Sequence, residues 1–227
     1  MTTLVNRPRT CTVCGTKSHQ AEIRSASAFD HPDLDLRPSE NQRSTIAHYL
    51  EVCPHCGYVA HRIAVKASVS EDLLKSESYL TCDGRRLPNE LTRNFYRRYL
   101  LSKASGDNLS AFFALLHGAW ACDDAEESCD EAAPAAFELR QMALCEVDSA
   151  ISAITADSDR EALLVVKADL LRRSGQFDEV LRQCPSWEFT RDIYHRMIRY
   201  QLYLAKRCDD RCHTVTEALQ ESTYFLG

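Results

Sequence analysis

The chain has 227 residues, of which 26% are charged and 44% are hydrophobic, the mixture expected of an ordinary globular protein. It contains no run of about 18 uncharged apolar residues, so the sequence predicts no membrane-spanning helix. Residues 1–10 carry Arg7 and Arg9 without an apolar core after them, which argues against a secretory signal and predicts a protein of the reducing cytoplasm.

Charge is unevenly distributed along the chain, whose net charge is −6. Residues 1–104 contain 15 Lys and Arg against 11 Asp and Glu, whereas residues 105–227 contain 12 against 22. This asymmetry indicates two modules, and the acidic second one opposes nonspecific binding to nucleic acid. Glycine and proline number only seven each, which favours long helices over a many-stranded β fold.

The first part of the chain is poor in large apolar side chains. Residues 15–44 contain only four of them, and residues 30–33 and 38–41 have the composition of loops. Such a segment needs a cross-link or a neighbouring module to fold. Alternation of apolar residues with period two predicts two strands, Ile46–Val52 and Val59–Val65, paired as a β-hairpin.

Two C-x-x-C-G motifs stand in this first part, Cys11–Cys14 and Cys53–Cys56, each followed by glycine. The two-residue gap brings both sulfurs of a pair to one edge of a tetrahedron, and the glycine permits the positive φ that closes the turn. Backbone amides in each turn can donate to the sulfurs. The sequence therefore predicts one Zn²⁺ bound by four thiolates.

Alternatives to this zinc site remain open. Iron in a rubredoxin-like site is the rival metal, since four-sulfur coordination suits both ions. The 38 residues between the pairs exceed the usual gap, but long insertions cost little closure entropy. The cysteines could also be free of metal or form a redox pair. His48, His55 and His61 lie near the second pair and are alternative ligands or ordinary strand and turn residues.

Helical periodicity begins near Ser68. Ser70 and Asn89 are predicted N-caps, and Leu91, Phe95 and Tyr99 would share one face of the helix that follows Asn89. Further helices are predicted over Leu109–Cys122, Pro134–Thr155, Arg160–Arg173, Phe177–Cys184, Phe189–Arg207 and Cys212–Phe225.

The segment from Leu164 to Val180 resembles a tetratricopeptide hairpin, with Ala168 at the helix crossing and Gly175 in the turn. The alternative is a plain helical bundle. The sequence thus predicts a mainly α protein with a small β zinc ribbon: a rubredoxin- or zinc-ribbon-like module over residues 1–67, packed on tetratricopeptide-like helical hairpins over residues 68–227.

Two other groups of residues invite functional interpretations. The first is a basic–aromatic stretch from Arg85 to Lys103, which could contact phosphates and stack bases or could be a solvated face paired with acids. The second is Cys208, Cys212 and His213, for which buried helical cysteines are the simpler interpretation than a metal site. The same interpretation extends to Cys82, Cys122, Cys129, Cys145 and Cys184.

Catalytic sequence patterns are not apparent. The chain has no phosphate-binding glycine loop, no H-E-x-x-H and no G-x-S-x-G motif. Four thiolates would also fill the coordination shell of the metal and leave no position for water or substrate. We therefore expect a protein that is not an enzyme.

On residues 11–15, 52–60 and 170–177, the chain resembles the bacterial "domain of unknown function 2225" family. Its members pair a C-x-x-C with a C-P-x-C-G-Y-A-A motif and continue into tetratricopeptide-like helices. Here Val59 replaces the first alanine of that motif, and Thr12 replaces the usual proline. The resemblance implies the architecture and carries no assigned activity.

Three functional hypotheses follow. The first is a zinc-binding interaction scaffold whose helical groove binds a protein or peptide; Arg172, Arg173, Arg196 and Arg199 would dock an acidic peptide unless they only pair with neighbouring acids. The second is a nucleic-acid-associated protein that uses the ribbon and the basic–aromatic stretch. The third is an electron-transfer protein with iron in the four-sulfur site.

Overall fold

The computed structural model describes residues 2–66, 69–126 and 128–221. The described chain is mainly helical and has two small antiparallel sheets. The strands are β1 (Thr3–Thr10), β2 (Lys17–Ser25), β3 (Glu51–Val52) and β4 (Val59–Ala60). The α-helices are α1 (Glu71–Lys75), α2 (Glu77–Thr81), α3 (Glu90–Ser105), α4 (Asn108–Asp123), α5 (Ala132–Ser152), α6 (Asp157–Arg173), α7 (Phe177–Gln183), α8 (Asp192–Ala205) and α9 (Val215–Glu221). Within the described ranges no helix has the length and apolar character needed to cross a membrane.

The chain divides into two compact units that differ from the predicted modules. Unit 1 comprises residues 1–27 and 41–139, and unit 2 comprises residues 28–40 and 140–227. The boundary predicted at residues 67 and 68 lies outside the described residues. The division falls later because α1, α2 and α3 contribute Leu74, Tyr79 and Leu101 to the same core as the cysteine motifs.

The longest β-structure of unit 1 is a hairpin that the sequence analysis did not predict. Strands β1 and β2 pair antiparallel, with Thr10 opposite Lys17 at the closed end, so the first C-x-x-C motif forms the connection. Most of the strand residues are exposed or half-buried. The alternation that reveals a strand with one buried face is therefore absent, and Pro8 further obscures the pattern.

The hairpin predicted around the second motif is much shorter than expected. Strands β3 and β4 have two residues each, and Ile46 to His48 belong to a 3₁₀-helix, Arg43–His48. Beyond β4 the chain turns, with the Val65 N–H donating to the Arg62 carbonyl at 3.2 Å. The prediction failed because the apolar residues spaced by two lie in turns and a 3₁₀-helix, where they do not form one strand face. Ile46 and Ile63 are buried, while Val65 is 60% exposed.

Helices α1 and α3 begin where the sequence predicted, whereas α2 was not predicted and α5 covers Ala132–Ser152 in place of the predicted Pro134–Thr155. The side chains of Ser70 and Asn89 accept hydrogen bonds from the N–H groups of Asp72 and Thr92, which caps α1 and α3. Helix α3 packs closely against α4. A Cβ added at Gly118 of α4 would lie 3.4 Å from Phe95 Cβ, so this glycine permits the close crossing of the two helices.

Unit 2 contains the predicted helices α6, α7 and α8, whose buried faces form one core cluster. Gly175 ends α6 with φ +71°, and its N–H donates to the Arg172 carbonyl at 2.9 Å. The tetratricopeptide arrangement of these helices stays a prediction. The helix predicted from Cys212 begins at Val215, and its predicted end at Phe225 lies outside the described residues.

Residues 28–40, which belong to the long gap between the cysteine motifs, pack in unit 2. Leu34 is fully buried in the helical core cluster, and Asp33 forms a β-bridge with Thr214. The Leu34 N–H donates to the His213 carbonyl at 2.9 Å, and the Val215 N–H donates to the Pro32 carbonyl at 2.9 Å. The loop character was predicted correctly, and the neighbour that it needs is unit 2.

A buried arginine organises the interior of unit 2. The Arg172 side chain is fully buried and donates to Asp169 Oδ1 at 2.7 Å and to Gln201 Oε1 at 2.6 Å. It also donates to the carbonyls of Asp209 and Arg211, at 2.7 and 2.8 Å. Arg172 therefore joins α6, α8 and the segment before α9 through charge-assisted hydrogen bonds.

We predict that Arg172→Ala lowers the free energy of unfolding of unit 2 by about 3–5 kcal/mol, because it leaves the buried Asp169 carboxylate without its cation. Arg182→Ala is the matched control: the Arg182 side chain is 68% exposed and pairs with Glu179 on the same helix, so we expect a loss below about 1 kcal/mol. Urea denaturation followed by circular dichroism measures both, and equal losses would contradict the prediction.

Candidate metal centre

The four cysteines of the two motifs converge on one point. The sulfurs of Cys11, Cys14, Cys53 and Cys56 all lie within 4.8 Å of one another. Cys11 Sγ is 3.8 Å from Cys56 Sγ, and Cys14 Sγ is 3.6 Å from Cys53 Sγ. A tetrahedron with Zn–S bonds of about 2.3 Å has edges of about 3.8 Å. All four cysteines are free of disulfides, so the donor set fits one tetrahedral metal ion.

The two motifs adopt the same turn, as their shared sequence pattern predicts. Gly15 and Gly57 have φ values of +73° and +70°, which favour glycine. The Gly15 N–H donates to the Cys11 carbonyl at 2.9 Å, and the Gly57 N–H donates to the Cys53 carbonyl at 3.0 Å. Local backbone bonds thus shape each turn and position its two sulfurs.

Backbone amides also point at the sulfurs, as predicted. The Thr16 hydroxyl, 3.3 Å from Cys14 Sγ, and the Thr16 N–H lower the pKa of Cys14 to about 5. Burial raises the pKa of Cys11 against the opposing effect of the Cys14 and Val13 amides. Burial likewise raises the pKa of Cys56, against the Tyr58 amide. The amides favour thiolates, which are the form that binds a metal.

A buried carboxylate links the two motifs. Glu51 on β3 accepts from Arg9 Nε at 2.9 Å and from the Ile63 N–H at 2.9 Å. The Ile63 carbonyl in turn accepts from the Thr12 N–H at 2.9 Å. Ile63 therefore bonds to the first motif through its carbonyl and to the strand of the second motif through its N–H. This link fixes the position of one pair of sulfurs relative to the other.

A small hydrophobic core packs against the metal centre. Cys11 and Cys53 are buried in the same cluster as Tyr58, Tyr79 and Leu101. The Tyr79 hydroxyl donates to the Gly57 carbonyl at 2.7 Å, so α2 fixes the second turn directly. Tyr79 carried no sequence signal for this role, because its partner is a backbone atom 22 residues away.

The histidines near the second motif do not join the four sulfurs. Within the described ranges, the cluster of possible ligands contains cysteines only. His61 Nδ1 lies 3.0 Å from the Tyr49 carbonyl, which identifies it as a turn residue. His48 ends a 3₁₀-helix, and His55 occupies the tip of the second turn.

Cys208, Cys212 and His213 do not form a metal site in the part of the chain that the structure describes. His213 instead lies 3.3 Å from Asp209 and 3.1 Å from Glu217. The expectation of buried helical cysteines was wrong for Cys208 and Cys212, which are exposed and lie between α8 and α9. Among the remaining cysteines, Cys145 is exposed and Cys129 is half-buried, whereas Cys82, Cys122 and Cys184 are buried as expected.

The basic–aromatic stretch is engaged within unit 1. Phe95 and Tyr96 are buried, so their ring faces are not available to stack bases. Arg97 pairs with Glu90, and Arg85 pairs with Glu138. These contacts favour the interpretation of a helix face paired with acids.

The four arginines considered for peptide docking separate into two pairs. Arg172 is buried as described above, and Arg173 lies 3.7 Å from Asp35 with only 12% of its side chain exposed. Both are structural. Arg196 and Arg199 line a surface pocket of about 250 Å³ on α8, together with Tyr200, Leu202, Tyr203, Lys206 and Ala218.

Comparisons of the chain with protein-family models, curated proteins and solved structures gave no significant match. Membership of the family that the cysteine motifs resemble therefore stays a prediction.

We predict that Cys53→Ser accelerates hydrogen exchange throughout residues 2–25 and 51–63, because structural metal sites contribute about 10–16 kcal/mol of apparent binding energy. The effect should extend into α1 and α2, whose Leu74 and Tyr79 pack in the same cluster. Cys145→Ser is the control, since Cys145 is exposed and lies outside the sulfur cluster. Unchanged exchange in residues 2–25 after Cys53→Ser would show that the site is not structural.

Proposed function

We propose that Cys11, Cys14, Cys53 and Cys56 hold one structural zinc ion, in a protein that acts as a non-catalytic interaction scaffold. The convergence of four sulfurs within 4.8 Å is the observation that carries the metal assignment. The sulfur–sulfur distances of 3.6 and 3.8 Å support a tetrahedral ion with sulfur ligands.

The structural assignment follows from the donor set. Four thiolates complete a tetrahedral shell, whereas catalytic zinc sites keep a position for water or substrate. Cys11 and Cys53 are almost completely buried, whereas Cys14 and Cys56 are half-buried, so two of the four sulfurs are shielded from solvent. Zinc bound here would stabilise the two turns and would supply no Lewis-acid chemistry to a substrate.

We expect about one zinc per chain by elemental analysis of protein purified without chelators. Replacement by Co²⁺ should give the intense visible bands of tetrahedral sulfur coordination, and Cys14→Ser should weaken them. Cys208→Ser is the control, because Cys208 is exposed and outside the cluster. A coloured, iron-containing native protein would instead support the rubredoxin-like electron-transfer alternative, and protein without metal would refute the site.

The scaffold role rests on unit 2, where we place a peptide-binding site at the pocket on α8. Arg196, Arg199 and Lys206 surround an apolar floor that includes Leu202. Arg199 is exposed and forms no ion pair with another described residue, whereas Arg196 makes a long contact of 3.7 Å with the exposed Asp192. Three cations over an apolar floor, in a half of the chain with 22 acids against 12 bases, suit a peptide with an apolar side chain and a carboxylate.

We predict that Arg196→Ala with Arg199→Ala weakens binding of carboxylate-ending acidic peptides at least about tenfold, because each charge-assisted bond contributes roughly 1.5–3 kcal/mol. Fluorescence polarisation against a pool of labelled peptides measures this. The control is Arg160→Ala with Arg182→Ala, exposed arginines that pair with Asp157 and Glu179. Equal affinity of both double variants, or no binding by the native protein, would exclude this site.

A further inference from the structure

A second surface feature lies in unit 1, away from the sulfurs. It is a pocket of about 380 Å³, here called the apolar pocket. This volume lies within the usual range for small-molecule sites. Its lining is largely aromatic and aliphatic and consists of Tyr49, Leu50, His61, Phe95, Arg98, Leu109, Ser110, Phe113, Ala114 and His117.

His117 is the polar group set among the rings of the apolar pocket. Its ring centroid lies 5.2 Å from that of Tyr49 and 5.7 Å from those of Phe95 and Phe113. Burial lowers the pKa of His117 to about 4, so the imidazole is neutral at pH 7. A neutral imidazole can offer one N–H donor and one nitrogen acceptor to a ligand.

A more polar pocket of about 420 Å³ adjoins the apolar pocket, and His61 and Arg98 line both. This second pocket, here called the basic pocket, adds Arg62 and Lys66 and has Asp107 as the single acid among its lining residues. Arg62 is already paired with Glu22 at 3.1 Å. Lys66 is exposed, and among the described residues the ion pair of Arg98 is a long contact of 3.8 Å with Asp107.

We propose that the two pockets together bind a small anionic amphiphile, with a flat apolar group in the apolar pocket and a phosphate or carboxylate in the basic pocket. Arg98 stands where the two parts of such a molecule would join. Its guanidinium would give up the long contact with Asp107 and form a bidentate hydrogen-bonded pair with the anion. The rings of Phe95, Phe113 and Tyr49 would cover the apolar group.

Charge favours this class over a neutral or cationic ligand. Arg62, Lys66 and Arg98 present three permanent positive charges to the basic pocket, against the negative charges of Asp107 and of Glu22 beside Arg62. The excess positive charge lies beside the apolar pocket, where water is partly excluded and electrostatic attraction is stronger than in bulk solvent. None of the four cysteines lines either pocket, but Tyr58, His61 and Arg62 of the basic pocket belong to the segment that the proposed zinc would stabilise. The proposal rests on that folded module and does not depend on the peptide site.

The test uses the full-length, metal-loaded protein and three probes: 1-naphthyl phosphate, 1-naphthaleneacetate and the neutral 2-(1-naphthyl)ethanol. Titration calorimetry and the shifts of the His117 imidazole signals report binding. For the anions we expect saturation with a Kd at or below about 1 mM, given the modest size of the probes. The neutral alcohol should bind at least about tenfold more weakly.

Two variants locate the site. Arg98→Gln should weaken both anions about tenfold or more and leave the neutral alcohol nearly unchanged. Ser110→Trp places a large side chain in the apolar pocket and should abolish binding of all three probes. Arg93→Gln on the same helix is the control, since Arg93 pairs with Glu90 and lines neither pocket. Thermal unfolding verifies that each variant is folded.

A phosphate-specific response would identify the head group as phosphate, and equal responses would identify a site for anions in general; both support the proposal. Absence of saturable binding to the native protein overturns it. Binding that survives both Arg98→Gln and Ser110→Trp in folded protein also overturns it, because the probes would then occupy another surface.

Discussion

Four sulfurs held within 4.8 Å of one another form the constraint on which unit 1 depends. Two unit negative charges about 4 Å apart repel by roughly 4 kcal/mol at an effective dielectric constant of 20. Four thiolates at such distances are therefore stable only with a cation at their centre. Without such a cation, protons must remain on some of the sulfurs. The pKa shifts agree with this, because the pKa of Cys14 is lowered and those of Cys11 and Cys56 are raised. The Glu51–Ile63 link and the core around Tyr79 hold the sulfurs together, so an ion would find its ligands largely arranged.

The parts of this arrangement that depend on local chemistry were predictable from the sequence. A C-x-x-C-G turn is defined by five consecutive residues, and the backbone bonds of both turns lie within each motif and its next residue or two. The start of α3 was equally predictable from a short stretch of sequence, because the Asn89 side chain caps an amide three residues away. Gly175 ended its helix for the same reason: its φ of +71° suits glycine and few other residues. In each case the signal and the structure occupy the same short stretch of chain.

The parts that depend on distant partners were not predictable. Strands β1 and β2 contain no fully buried residue, so the apolar alternation of a strand with a buried face is missing from their sequence. Arg172 looked like a surface cation, yet Asp169 and Gln201 accept its hydrogen bonds inside unit 2. The division of the chain likewise follows contacts of Leu34 and Leu101 that no periodicity encodes. Apart from the Arg172–Asp169 pair and the pairing of the consecutive strands β1 and β2, these features depend on partners far away in sequence, which one sequence alone does not identify.

The placement of residues 28–40 in unit 2 has a consequence for synthesis at the ribosome. All four sulfurs have been added once residue 56 is made, so the metal-binding turns can form early. Residues 28–40 precede the remaining part of unit 2, which starts at residue 140, by about one hundred residues. At 5–20 residues per second, that interval lasts roughly 5–20 s. Throughout it, Leu34 has no helical core to enter, because Val165, Ile198 and Val215 have not yet been added. The nascent chain must therefore carry this segment as an unpaired loop between two turns that are already complete.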